Sequence, residues 1–230
     1  MKFGKNLQFL RKMRGGMTQE ELAEKMQVSR QTISKWELET AYPEMGKVME
    51  LCQLFSCTMD NLFRDDMNVC DESYINLRTE DMESFRYVRY AVISRDPETD
   101  ALNHVKEWAA GTGTGQPEII GWDFPFVSQE QINVFHMHGY TAAWILPPDI
   151  ALTDPNAEII TQKKQRYAAV TIKNPWKAPF HLIPNAYKTL MAYMTVNGLE
   201  ENTEKEIITC YEKVYDADGT NYMDVYIAVK

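Results

Sequence analysis

The stretch from Thr18 to Glu37 constrains the fold more than any other part of the chain. Thr18-Gln19-Glu20-Glu21 has the form of a capping box, in which a threonine oxygen accepts the amide three residues on and a glutamate reaches back. Leu22, Ala23 and Met26 then make a short apolar face, and Gln27-Val28-Ser29 reads as a turn. Ser29 is a natural N-cap for a helix over Arg30 to Glu37. Ile33 and Trp36 fall three apart and face inward. Arg30, Gln31, Thr32, Ser34 and Lys35 are left outward or at the leading end. Flanking segments supply further short helices. Leu7, Leu10 and Met13 recur at helical spacing before Gly15-Gly16. Pro43 precedes a helix with Val48, Leu51 and Leu54-Phe55, and Thr58 to Phe63 forms a last one.

The polar, basic leading end of that helix suits one partner class. Arg and Lys pair with guanine edges, Gln with adenine, and a Thr methyl with thymine methyls. Helix N-termini also present amides to phosphates. The formal net charge of −9 argues the other way for the chain as a whole, but it is unevenly spread. Through Lys35 there are eight basic residues against three acids. A local surface facing double-stranded DNA on an otherwise acidic chain is the expectation. One basic helix neutralises few phosphates, so a homodimer on a two-fold operator is expected. The competing reading, a bundle used only for protein contacts, has no need of a basic leading end.

The stretch Met17 to Glu37 closely resembles the Cro/CI-type (XRE) helix-turn-helix family, a lambda-repressor-like all-α bundle, over about the first 65 residues. The resemblance implies that Gln19 contacts the DNA backbone and braces the recognition helix. It implies that Arg30, Gln31, Thr32 and Lys35 face the groove, and that Ser29 and Ser34 lie at phosphate distance.

Residues 1–65 are thus read as the DNA-binding domain, 66–84 as an acidic linker and 85–230 as a second domain. In the second domain a strand (87–94), a helix (100–110) and two strands (117–123, 140–146) are followed by a matching set: 167–173, 182–196, 205–211 and 222–228. The order is β-α-β-β twice, which predicts a duplicated α+β domain with helices on one sheet face. Side chains alternate along a strand. Met223, Val225, Ile227 and Val229 therefore pack under the helices, and Tyr222, Asp224 and Tyr226 face the other way. A carboxylate between aromatics can hold a cation with help from the rings. Tyr140 and Trp144 are expected on the equivalent face of the first half, with Ala142 in place of the acid. Trp122, Phe124, Trp108, Tyr187, Tyr193 and Tyr211 are candidates for the remaining walls. By spacing alone, an ordinary strand acid among core aromatics fits equally well.

The segments 167–172, 183–190 and 224–230 look like the GyrI-like small-molecule-binding domain, also known as the AraC-type effector-binding domain. That resemblance implies a small-molecule effector, aromatic or cationic, held by the acid two before the strand tyrosine. Here that acid is Asp224, one methylene shorter than the usual Glu.

Other constellations imply no catalytic centre, cofactor or metal. His136-Met137-His138 puts two imidazoles on one face of a strand without a third ligand at useful spacing. Gly111-Thr112-Gly113-Thr114-Gly115 lacks the strand and lysine of a P-loop. Cys52, Cys57, Cys70 and Cys210 are scattered, as reduced cytoplasmic thiols are. No apolar run reaches the roughly 18 residues of a membrane span, and the N-terminus lacks a secretory signal. The overall expectation is a cytoplasmic transcription regulator that senses a small molecule and is not an enzyme. The alternatives are a hydrolase using Asp224 with Tyr211 or Tyr226, and a protein-interaction module.

Overall fold

The computed structural model describes residues 2–64, 73–113, 115–124, 126–150, 152, 154 and 157–230. Five helices come first: α1 (Phe3–Met13), α2 (Gln19–Met26), α3 (Arg30–Glu37), α4 (Met45–Leu54) and α5 (Met59–Phe63). Strands and helices then alternate as β1 (Tyr74–Met82), β2 (Phe85–Ser94), α6 (Pro97–Gly111), β3 (Glu118–Asp123), α7 (Gln129–Asn133), β4 (His138–Ile145), β5 (Ile159–Gln162), β6 (Gln165–Lys173), α8 (Pro179–Asn197), β7 (Cys210–Ala217) and β8 (Thr220–Val229). The fold is an all-α helix-turn-helix bundle followed by an α+β domain. Its β2-α6-β3-β4 and β6-α8-β7-β8 runs are the expected repeat.

The helical boundaries follow from local chemistry. Thr18 accepts the Glu21 amide at 3.2 Å and donates its own amide to Glu21 Oε2 at 2.6 Å. These bonds hold the Glu21 carboxyl below the usual carboxylate range. Gln27 ends α2 in the left-handed region at φ 54°, and Ser29 Oγ caps α3 by accepting the Thr32 amide at 3.1 Å. Thr58 and Asn61 close a second capping box on α5.

Leu7, Leu10, Leu22, Met26, Ile33, Trp36, Leu51, Phe55 and Leu62 form one buried core. Phe3 stacks on Phe63 with ring centroids 4.8 Å apart, closing α1 on α5. A buried polar network ties the helices as well. Arg11 donates through Nε to Glu37 Oε1 at 2.6 Å and through Nη2 to Oε2 at 3.1 Å, and a third bond goes to the Met17 carbonyl. Gln19 Nε2 donates to Glu37 Oε2 at 2.9 Å. Gly4 lets α1 approach the end of α3, since a Cβ there would meet the Glu37 carbonyl oxygen at 2.3 Å.

The described chain divides into two compact units: Met1–Arg78 with Ala168–Glu201 and Val229–Lys230, and Thr79–Tyr167 with Asn202–Ala228. In the first unit, α8 joins the helical bundle. Val196 belongs to the buried core just described, and Asn197 Nδ2 donates to the Met13 carbonyl at 2.9 Å. Arg14 Nη1 donates to the carbonyls of Leu54 and Val196. In the second unit α6 covers β2 and β4 through Val88, Ala101, Val105, Ala109, Ala142 and Trp144. The eight strands run in the order β1-β6-β8-β7-β3-β4-β2-β5.

Three sequence expectations change. The segment 66–84, read as an acidic linker, contains β1 over Tyr74–Met82; residues 65–72 lie outside the described residues. The second strand of the second repeat is Cys210–Ala217 rather than 205–211. The Ile207-Ile208 pair looked like strand. Instead, side chains satisfy this backbone: Ile208 N donates to Gln162 Oε1 at 2.9 Å, and Tyr167 OH donates to the Ile208 carbonyl at 2.9 Å. His136 lies in a left-handed turn at φ 53°, so only His138 is on a strand.

The Arg11–Glu37 pair is nearly buried, with side chains 10% and 5% exposed. Removing one partner from such a pair strands a charge and costs about 3–5 kcal/mol. Glu37→Ala should therefore lower the unfolding free energy, read from chemical denaturation, by that order. Arg11→Met combined with Glu37→Leu should recover part of the loss. Strictly additive losses in the double variant would contradict the coupling.

Candidate DNA-contact surface and effector cavity

The leading end of α3 carries the residues expected at a groove. Arg30, Gln31 and Lys35 are exposed, while Thr32 and Ser34 are half-buried. Ser29 is exposed, and its hydroxyl is engaged with Thr32 Oγ1 at 2.9 Å as well as with the capping amide. Gln19 is half-buried, its side chain held by Glu37. All seven predicted residues thus sit on one helix-turn-helix, two of them in structural roles there. The local charge count is smaller than the sequence suggests. Arg11 is buried by Glu37 and Arg14 holds carbonyls, so neither belongs to an exposed basic surface.

In the second unit the last strand pair builds an aromatic and acidic cluster. Tyr226 stands opposite Tyr211, Asp224 opposite Lys213, and Tyr222 opposite Tyr215. Tyr211 and Tyr226 stack at 4.5 Å, and Tyr167 meets both edge-on at 5.2 and 5.9 Å. Asp224 is 7% exposed. It accepts from Tyr226 OH at 3.2 Å and from Tyr215 OH at 3.4 Å. Glu80 Oε1 lies 3.4 Å from Tyr226 OH. The Tyr211 hydroxyl is buried with no hydrogen-bond partner among the described residues, and burial pushes its phenol far up.

The register extends this face. Gly121 pairs with Glu212, which sets Trp122 opposite Tyr211 on the Tyr226 side of the sheet. Trp122 pairs in turn with Thr141 on β4. Thr141 and Ala143, not Tyr140 and Trp144, therefore share the face of Asp224. Tyr140 and Trp144 are 8% and 0% exposed and pack on the α6 side. Tyr140 lies so close over Gly121 that a Cβ there would meet its hydroxyl at 2.0 Å. Strand β4 is buried along both faces, so alternation carried no signal of its phase. Trp108 also belongs to the α6 layer, where its Nε1 donates to Asp154 Oδ2 at 2.8 Å. Tyr187 lies on α8, in the first unit. Tyr193 packs there against the helical core.

A cavity of about 210 Å³ opens elsewhere in the second unit. Tyr87, Arg89, Trp122 and Ile160 form one part of its wall, and Lys205 and Glu206 on the loop before β7 form another. Of the nine predicted ligand residues, Trp122 alone lines it. Sequence reading missed Arg89 and Tyr87 because β2 was read only as a strand. Their spacing of two along one strand, which puts both on one sheet face, was the available signal. Among the described residues no group of three His, Cys, Asp or Glu could hold a metal.

The stacked pair gives a contrast. Tyr211→Phe removes a buried hydroxyl unpartnered among the described residues and should be neutral or stabilising, whereas Tyr226→Phe removes a hydrogen-bond donor to Asp224 and should cost about 1–3 kcal/mol. Thermal melts of the two variants read this directly; equal destabilisation would contradict the asymmetry.

Residues 7–62 match the family model described as Helix-turn-helix. Over 62 residues the chain is 45% identical to the HTH-type transcriptional activator BcrR of Enterococcus faecalis. That alignment covers 27% of this chain and 30% of the relative, so the chain spans less than a third of that protein's length. Among solved structures, the crystal structure of the EcmrR C-terminal domain is 11% identical with TM-score 0.48, covering 67% of this chain and 97% of that one. The cryo-EM structure of an EcmrR-DNA complex is 11% identical with TM-score 0.49, covering 91% and 97%. The likeness to the helix-turn-helix family is thus carried by residues 7–62.

Proposed function

We propose that the chain is a sequence-specific DNA-binding transcription regulator whose C-terminal domain senses a small molecule. The observation that carries this reading is α3. It has a capped leading end with Arg30, Gln31 and Lys35 exposed, and its far end is fixed to α1 and α2 through Glu37. A groove-reading helix needs both features, because side chains specify bases only when the helix is held at a set angle. On α3 itself Arg30 and Lys35 are the cations, which favours two copies on a two-fold site. The relative's printed name, a transcriptional activator, agrees with this assignment over the helix-turn-helix alone.

For the second domain, the support is a cavity of about 210 Å³ whose wall combines the rings of Tyr87 and Trp122 with the charged Arg89, Lys205 and Glu206. The hydrolase alternative requires substrate to reach Asp224, a carboxylate 7% exposed and already accepting two phenols. Sensing requires that the ligand bind DNA-fitting and non-fitting arrangements unequally.

The test begins with selecting a duplex from a random pool by the full chain. Against that duplex Arg30→Ala should lose affinity by about 1–3 kcal/mol and relax the preference at one or two positions. Lys35→Ala should weaken binding and flatten the salt dependence if it touches phosphate. Fluorescence anisotropy at several salt concentrations measures both. A pool that enriches no sequence would overturn the assignment.

A further inference from the structure

We propose that the cavity beside Trp122 is an anion-selective site, built for a single-ring aromatic carboxylate rather than a cation. The inference deepens the sensing reading above and takes its biological meaning from it. The charges around the cavity carry the argument. Arg89 and Lys205 both line it, and neither makes an ion pair with a described residue. The one acid in the wall, Glu206, is paired with Lys163, which holds its carboxyl below the usual range. Among the described residues, the lining charge without an ion-pair partner is therefore positive, and Glu158 near Tyr87 is the acid that opposes it.

Arg89 is placed to act on a ligand. It projects from β2 two residues beyond Tyr87, so both side chains leave the same face of the sheet. Tyr87 pairs with Ile160 across the β2–β5 ladder, and both line the cavity. Burial pushes the Tyr87 phenol up, and the Arg89 guanidinium acts against that shift, ahead of the opposing pull of Glu158. The guanidinium thus already sits within electrostatic reach of the aromatic wall. A guanidinium fork matches a carboxylate in a bidentate arrangement, which gives direction as well as attraction. Tyr87 and Trp122 supply apolar ring surface for the body of the ligand.

Size narrows the class. An apolar cavity of about 150 Å³ holds benzene. A volume of about 210 Å³ leaves room for one ring and one small acidic group. Asp224, the acid expected to attract a cation, does not line this space. Its oxygens accept from Tyr215 and Tyr226, and the residue opposite it is Lys213. A cation entering the cavity would meet Arg89 and Lys205 instead.

The experiment is titration calorimetry of the full chain with three probes of similar size: benzoate, benzamide and benzamidinium. Benzoate should bind saturably, benzamide at least tenfold more weakly, and benzamidinium with no detectable heat. Arg89→Met should weaken benzoate at least tenfold. Trp122→Leu should weaken benzoate and benzamide alike, which separates the ring contact from the charge contact. Benzamidinium binding as tightly as benzoate, benzoate affinity unchanged in Arg89→Met, or no binding of any probe would each overturn the anion site. The sensing reading is judged separately, by anisotropy on the selected duplex. Saturable benzoate binding that leaves DNA affinity unchanged would keep the anion site and remove the sensing role.

Discussion

Glu37 is the residue on which the helix-turn-helix geometry depends. Its two carboxylate oxygens receive Arg11 from α1 and Gln19 from the start of α2, while its own backbone ends α3. An apolar core alone tolerates small rotations of short helices, because dispersion contacts are weakly directional. A buried, bidentate ion pair does not, since tilting either helix would break a hydrogen bond and strand a charge. The leading end of α3 is free to carry exposed polar groups because its trailing end is pinned. Gly4 completes the arrangement by letting α1 come within backbone contact of that same end.

The helical domain was legible in the sequence to a degree the second domain was not, for a physical reason. Caps and turns are local. Thr18, Ser29 and Thr58 each announce a helix start through bonds made within three residues, and the structure makes each of them. Strand phase is not local. Along β4 both faces are buried, so the sequence from Tyr140 to Trp144 offers no polar marker of which side meets α6. The phase is set by the ladder with β3, where Gly121 clears the space that Tyr140 fills. The loop at 205–209 misled in the opposite way. Its apolar pair suggested a strand, yet both backbone groups of Ile208 bond to the side chains of Gln162 and Tyr167, far away in sequence.

Charge was legible only as a total. Counting basic residues through Lys35 suggested a strong local excess, but a count cannot distinguish a solvated guanidinium from a structural one. Arg11 and Arg14 are structural: one neutralises Glu37, the other holds carbonyl oxygens at helix ends. The reverse holds in the second unit, on a chain that is acidic overall. There Glu206 is answered by Lys163 and Asp224 receives two phenols, leaving Arg89 and Lys205 as the charges at the cavity wall. Net charge describes long-range behaviour; recognition depends on which charges remain without a partner at a concave surface.

Helix α8 links these two themes. By order in the chain it is the helix of the second repeat, yet its C-terminal end packs in the first unit as part of the helical core. Val196 contributes apolar area to that core, while Asn197 donates to the Met13 carbonyl and Arg14 donates to the Val196 carbonyl across the α1–α8 junction. Such bonds fix position along the helix axis as well as contact, which apolar packing by itself does not. A shift of α8 along its axis would have to break them or carry the end of α1 with it. Because α1 holds Arg11, and Arg11 holds Glu37, the same displacement would reach the trailing end of α3 through groups that are already hydrogen-bonded.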